Sequence, residues 1–224
     1  MANRPLLLGH RGARAEKSVA ENTLLAFDLA LAHGCDGFEF DVQRSADGEA
    51  VICHDAHSRG LEIAQSPAQQ LALPLLRDVL TRYQSTAFLD IELKVSGLEE
   101  MVIDLLRKHT PIRGCVVSSF LPEVPQTIHG RDSTIPLGLI CETRAQFSLW
   151  PTLPVEYVIP HYTLLQLDSI SEIKAAGKKV FAWTVNRPEA MRRLAAQGLD
   201  GIISDDTKRL ALTLGGKIHP CESE

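Results

Sequence analysis

The feature that most constrains this chain is a repeating order: a short apolar or β-branched run, then a longer segment of helical period, about eight times over. The runs are Leu6 to His10, Gly37 to Arg44, Ala87 to Lys94, Gly114 to Ser118, Ile135 to Ile140, Val155 to Pro160, Lys179 to Thr184 and Gly201 to Ser204. Helical segments lie between and after them, at Thr23 to His33, Leu75 to Arg82, Leu98 to His109, Glu123 to His129, Arg144 to Leu149, Ser169 to Ala176, Pro188 to Gln197 and Thr207 to Leu214. Thr23 is placed to cap the first helix, and Gly34, Gly177 and Gly198 sit where left-handed stops end helices. Repeated βα units with right-handed crossovers build either an open doubly wound sheet or a closed barrel, and eight units favour the α/β TIM (β/α)8 barrel. At 224 residues each unit has about 28, under the roughly 250-residue norm for such barrels. The expectation is therefore a single domain over 1–224 with a very short insertion after the second strand. There the Ala46-Asp47-Gly48 turn returns the chain as a hairpin at Ala50 to Cys53.

Composition narrows the class. With 45% hydrophobic and 23% charged residues, and Gly 15 and Pro 12 scattered, the chain is globular rather than disordered or collagen-like. Lys+Arg 23 against Asp+Glu 28 gives a net charge of -5, and only 5% of residues are aromatic. No field gathers nucleic acid or anionic lipid, and the pairs Lys178-Lys179 and Arg192-Arg193 read as solvated helix-end charges. Apolar stretches such as Leu6 to Leu8 fall far short of the roughly 20 residues of a membrane span, and the N-terminus lacks the pattern of a secretory signal. A cytoplasmic address is expected. Cys35, Cys53, Cys115, Cys141 and Cys221 are odd in number and form no C-x-x-C pair, so they are expected reduced and mostly buried.

The second strand reads Gly37-Phe38-Glu39-Phe40-Asp41-Val42, so Glu39 and Asp41 share one face and the phenylalanines take the other. Two carboxylates side by side repel each other and are costly to desolvate unless a cation or paired base lies between them. A solvated edge strand is the bland alternative, and it conflicts with parallel strands being covered on both faces. The third strand repeats the device in Asp90, Glu92 and Lys94, where a surface ion pair would be the ordinary explanation. Strands two and three are neighbours in a sequential barrel, so Glu39, Asp41 and Glu92 can converge on one hard cation through oxygen ligands.

Two histidines end strands. Gly9-His10-Arg11-Gly12 puts a titratable ring and a fixed fork of donors at the mouth where barrel active sites form, and Val51-Ile52-Cys53-His54-Asp55 closes the hairpin strand with Asp55 set either to orient the ring or to bond nearby backbone. With the three carboxylates and Lys94 nearby, the two histidines give an acid, a base and a metal site for displacement at phosphorus. His161 follows the sixth strand as either a substrate contact or a wall. His33, His57, His109, His129 and His219 fall at helix ends or in loops, where surface and capping roles are ordinary, and Trp150 reads as packed under a loop.

These residues carry a resemblance. His10-Arg11-Gly12, Glu21-Asn22-Thr23, Glu39-x-Asp41, His54-Asp55, Glu92-x-Lys94, Phe181 to Asn186 and Gly198 to Asp205 occur in the order of the glycerophosphodiester phosphodiesterases, and the similarity spans nearly the whole chain. The resemblance implies a metal-dependent phosphodiesterase that splits glycerophosphodiesters into an alcohol and glycerol 3-phosphate, by way of a cyclic phosphate that water opens. It implies His10 and His54 as the acid and base pair, and Glu39, Asp41 and Glu92 as ligands of one divalent cation, Mg2+ or Ca2+ with Mn2+ also suited. Arg11 and Lys94 would contact phosphate oxygens and Trp183 would wall the glyceryl part, with Glu21, Asn22 and Asp55 in support. Two departures stand out. Ala20 replaces a proline common before Glu-Asn-Thr, and the connector from His54-Asp55 to Leu73-Pro74-Leu75-Leu76-Arg77-Asp78 is short, which implies an open mouth tolerant of varied headgroups. Two other readings stay open: a lipid phosphodiesterase of the lysophospholipase D or sphingomyelinase D kind, and a silent barrel that binds a phosphorylated metabolite.

Overall fold

Each barrel strand alternates residues that face the helices with residues that face the barrel axis, and both sets are buried. In the computed structural model, which describes residues 4–215, the strands are β1 (Leu6–His10), β2 (Gly37–Arg44), β3 (Phe88–Leu93), β4 (Cys115–Ser119), β5 (Leu137–Cys141), β6 (Tyr157–Pro160), β7 (Lys179–Ala182) and β8 (Gly201–Ser204). All eight run parallel in sequence order, and β1 pairs with both β2 and β8, so the sheet closes as a TIM barrel. The helices after them are α1 (Leu24–Ala32), α2 (Leu76–Tyr83), α3 (Glu99–Lys108), α4 (Glu123–Arg131), α5 (Arg144–Phe147), α6 (Leu167–Ala175), α7 (Pro188–Ala196) and α8 (Thr207–Leu214). Cys221 and His219 lie outside the described residues.

Local chemistry sets the ends of these elements. The Thr23 hydroxyl accepts from the Ala26 backbone N–H at 3.2 Å and caps α1. The Asp47-Gly48 turn, with Gly48 at φ 85, returns the chain as the strand Ala50–Ile52, antiparallel to β2. Beyond it the insertion is folded. His57–Ser58 pairs with Leu61–Glu62, a helical turn spans Ala68–Leu71, and Val51, Ile63 and Leu71 form a small core of their own.

Two hydrophobic regions result. Outside the sheet, Phe38 and Phe40 of β2 pack on Phe27 of α1 and Tyr83 of α2, with the Phe27 and Phe38 rings stacked 4.2 Å apart. Inside the barrel, Phe88, Tyr157 and Phe181 close the N-terminal end, with ring centroids 5.0 to 6.4 Å apart. Glycines on neighbouring strands make room for them. A Cβ at Gly201 would lie 2.5 Å from the Phe181 ring, and one at Gly37 only 1.8 Å from the Phe88 carbonyl oxygen. Because that neighbour is backbone in the β2–β3 pairing, Gly37→Ala is expected to cost about 3 kcal/mol, read as a lower midpoint in urea unfolding. The plug fills one end of the barrel and leaves the polar inward residues at the other.

Cys35, Cys53, Cys115 and Cys141 are free thiols; Cys53 is half-buried and the other three buried. Among the described residues, no helix is long and apolar enough to cross a membrane.

Candidate active site

The C-terminal ends of β1, β2 and β3 bring the charged residues together. His10 ends β1, and the chain then turns through Arg11 in the left-handed region at φ 53. An L residue there is strained by roughly 1–2 kcal/mol. Two bonds hold it: the Arg11 N–H donates to Glu39 Oε2 at 3.0 Å, and the Asn22 N–H donates to the Arg11 carbonyl at 3.0 Å. Gly12 follows at φ 80, where a Cβ would strike the Ala26 backbone at 2.6 Å.

On β2 and β3 the register sets Asp41 beside Glu92 and Glu39 beside Asp90. Carboxylate oxygens of Glu39, Asp41 and Glu92 all lie within 4.8 Å of one another, and all three residues are buried. Burial, and then the charges of Asp41, Glu92 and Asp90, push Glu39 well above the usual carboxylate range. Burial and Asp41 likewise push Glu92 up to about 7, against the pull of Lys94. Lys94 Nζ donates to Glu92 Oε1 at 2.6 Å and lies 3.3 Å from Asp41 Oδ1. Arg11 donates through Nη1 to Glu21 Oε1 at 2.7 Å. Its Nε lies 3.1 Å from Asp41 Oδ2 without forming a hydrogen bond. Buried Glu39 Oε1 and Arg11 Nε are thus an acceptor and a donor with no partner. Two cations against three crowded acids leave negative charge, and the donor set is all oxygen, which fits a hard divalent cation.

The supporting residues divide by contact. Asn22, itself at φ 57, donates from Nδ2 to Asp41 Oδ2 at 2.8 Å and so braces an acid rather than lining the cavity. Glu21 ties Arg11 to Arg14, accepting from Arg14 Nε at 2.6 Å. His54 Nδ1 bonds Asp55 Oδ1 at 2.7 Å on the exposed side of the mouth. Trp183, just past β7, donates from its indole N–H to the Ile159 carbonyl at 3.0 Å and sets its ring edge to face with Phe120, centroids 5.5 Å apart. His161 packs edge to face on Trp183 at 5.5 Å and bonds Thr163 through Nδ1, a position behind the wall. His10, Arg11, Glu39, His54, Glu92 and Lys94 line one cavity of about 390 Å³, with Phe120 and Trp183 on its other side. No residue of the folded insertion after Asp55 lines it.

Three polar contributors stand in segments that the sequence analysis singles out, yet it gives them no role in the site. Asp90 is fully buried, accepts from the Ser118 hydroxyl at 2.6 Å, has no partner for Oδ2, and is pushed up to about 7 by burial. Its place in the β3 alternation carried the signal. Asp205 and Asn186 follow β8 and β7, and Asp205 Oδ1 bonds His10 Nδ1 at 2.7 Å. The signal for both was position, since polar residues just after the strands of such barrels line the functional face.

Comparison with known proteins agrees with this geometry. The model of the Glycerophosphoryl diester phosphodiesterase family matches residues 10–102 and 62–209. A glycerophosphodiester phosphodiesterase of Caldanaerobacter subterraneus subsp. tengcongensis is 28% identical over 235 residues, covering 92% of this chain and 96% of the relative. A phosphodiesterase of Oleispira antarctica, solved in complex with the product sn-glycerol-3-phosphate, superposes with TM-score 0.83 at 27% identity, over 95% of this chain and 97% of that one. A glycerophosphodiester phosphodiesterase of Parabacteroides distasonis shares the fold with TM-score 0.83 at 20% identity, over 96% and 98% of the two chains. With the family pattern matched along nearly all of the barrel, the chain belongs to the glycerophosphoryl diester phosphodiesterase family and is a phosphodiesterase.

Proposed function

We propose that the enzyme hydrolyses glycerophosphodiesters to an alcohol and glycerol 3-phosphate, with Glu39, Asp41 and Glu92 holding one divalent cation and His10 and His54 as the general acid and base. The observation that carries this reading is a pair of buried groups without hydrogen bonds in one cavity: Glu39 Oε1 accepts from nothing, and Arg11 Nε, though 3.1 Å from Asp41 Oδ2, donates to nothing, between two imidazoles. A cation answers the first and a phosphate oxygen the second. Oxygen ligands suit Mg2+, Ca2+ and Mn2+ alike. When bound, the ion supplies Lewis-acid stabilisation of charge on the phosphate oxygens.

The chain's own residues do the rest. Arg11 and Lys94 offer donors to the equatorial oxygens, where charge grows in the transition state. Asp205 and Asp55 engage the Nδ1 atoms of the two histidines, so both rings work through Nε2. One ring takes the proton of the substrate's neighbouring hydroxyl as it attacks phosphorus and the other returns a proton to the leaving alcohol, and water then opens the cyclic phosphate to glycerol 3-phosphate. Trp183 and Phe120 wall the apolar part of the substrate. The glycerol 3-phosphate held by the Oleispira antarctica enzyme supports this product. We further propose that the chain acts as one barrel domain over 1–224, without a nucleic-acid partner and in the cytoplasm, in keeping with its net charge of -5 and the four free thiols among the described residues.

Product analysis tests the reading. With Mg2+ or Ca2+ present, glycerophosphocholine is expected to yield choline and glycerol 3-phosphate, and chelation is expected to stop the reaction. Faster release of lysophosphatidic acid from lysophosphatidylcholine would instead assign the enzyme to the lysophospholipase D kind.

A further inference from the structure

Resting on that reading, we infer that Asp205 is a positioning residue that makes His10 the general base, by holding the ring with its proton on Nδ1 and an open lone pair on Nε2. Its carboxylate meets three donors. Oδ1 bonds His10 Nδ1 at 2.7 Å and accepts from Arg14 Nη1 at 3.2 Å, while Oδ2 accepts from Asn186 Nδ2 at 2.7 Å. Burial pushes the acid up, but the donors around it, the Asn186 amide and the charged Arg14 besides the ring, outweigh it and hold Asp205 below the usual carboxylate range, as the ionised form. An ionised carboxylate only accepts, so the shared proton sits on Nδ1. Nε2 then points into the cavity, 3.8 Å from Glu39 Oε2.

Asn186 makes the arrangement directional. Its Oδ1 accepts from the Asp205 backbone N–H at 2.9 Å and from the Ser204 hydroxyl at 2.9 Å. A backbone N–H can only donate, so the amide is locked with Nδ2 toward Asp205. His54 has no such clamp. Its partner Asp55 is the next residue in the chain, with a side chain 78% exposed against 21% for Asp205. One ring is fixed and the other can turn, which suits His10 to take the nucleophile's proton and His54 to deliver one to a leaving alcohol of variable shape.

Asp205→Asn tests this because Asn186 dictates the outcome. The Asn186 Nδ2 donor takes the new carbonyl oxygen, the new NH2 faces His10 Nδ1, and the ring proton must move to Nε2, the atom that has to be bare. Arg14, with a side chain 40% exposed, can swing clear of the new donor. The expected result is a kcat loss of about 100-fold or more with KM held within about threefold. Nitrogen NMR of His10 at alkaline pH should report Nδ1–H in the wild type and Nε2–H in the variant. Asn186→Ala, which keeps the carboxylate and loosens its clamp, should lose less activity. A wild-type ring with its proton on Nε2, or Asp205→Asn turnover within about threefold of an active wild type, overturns the assignment alone. If Asp205→Asn does not fold, the wild-type spectrum decides. No turnover of any glycerophosphodiester by the wild type sinks the functional reading, and this assignment with it.

Discussion

His10→Ala and His54→Ala are each expected to abolish measurable turnover while the barrel stays folded. General acid or base transfer contributes about 10²–10⁴-fold in rate, and among the described residues no other imidazole lines the cavity to replace either ring. Neither ring holds the fold together. His54 stands at the exposed rim, and removing His10 leaves Asp205 bonded to Asn186 and Arg14. Thermal unfolding of the variants should therefore lie close to wild type while hydrolysis of glycerophosphocholine disappears. Near-normal turnover from either purified variant would defeat the pair.

The second large effect separates stability from activity. Glu39 is a buried acid with an oxygen that nothing bonds, set among three other carboxyls. Glu39→Gln removes that charge at nearly constant volume, so the metal-free variant should gain about 1–3 kcal/mol in stability while losing cation-dependent activity. pH gives the same information from another side. Unfolded carboxylates titrate near about 4, whereas Glu92 and Asp90 are held up to about 7 by burial. Between those limits the native state binds more protons than the unfolded one, so metal-free stability falls as pH rises. Asp205 is shifted the other way, and its contribution is lost only at acid pH, outside this window. The melting temperature of the metal-free enzyme should thus drop from about pH 5 to about pH 8, and saturating divalent cation should restore it. A flat profile that ignores the ion would contradict the site.

Barrel architecture was legible because parallel strands covered on both faces read as apolar runs, with Glu39, Asp41 and Glu92 as conspicuous interruptions on the inward face. Their convergence followed from adjacency of the second and third strands, which the register bears out. The insertion was not legible. Its strands are two residues long and its core, Val51, Ile63 and Leu71, follows neither helical nor strand period. Asp205 stood in a matching segment, but its role was hidden for a different reason. In Ser204-Asp205-Asp206 the acids look like helix-capping residues, and Asp206 is one, accepting from the Arg209 N–H at 3.0 Å. Asp205 instead pairs with a histidine 195 positions away, a contact that only closure of the barrel creates. Asp90 was visible in the alternation of β3, but its unfilled oxygen depends on Ser118 of β4.

The claim on which the rest depends is met most directly by anomalous diffraction from crystals soaked in Mn2+ and sn-glycerol 3-phosphate. One ion bound by Glu39, Asp41 and Glu92, with the phosphate against Arg11 and Lys94, is the expected result. An ion bound elsewhere, or the three carboxylates turned away from a common centre, would contradict it.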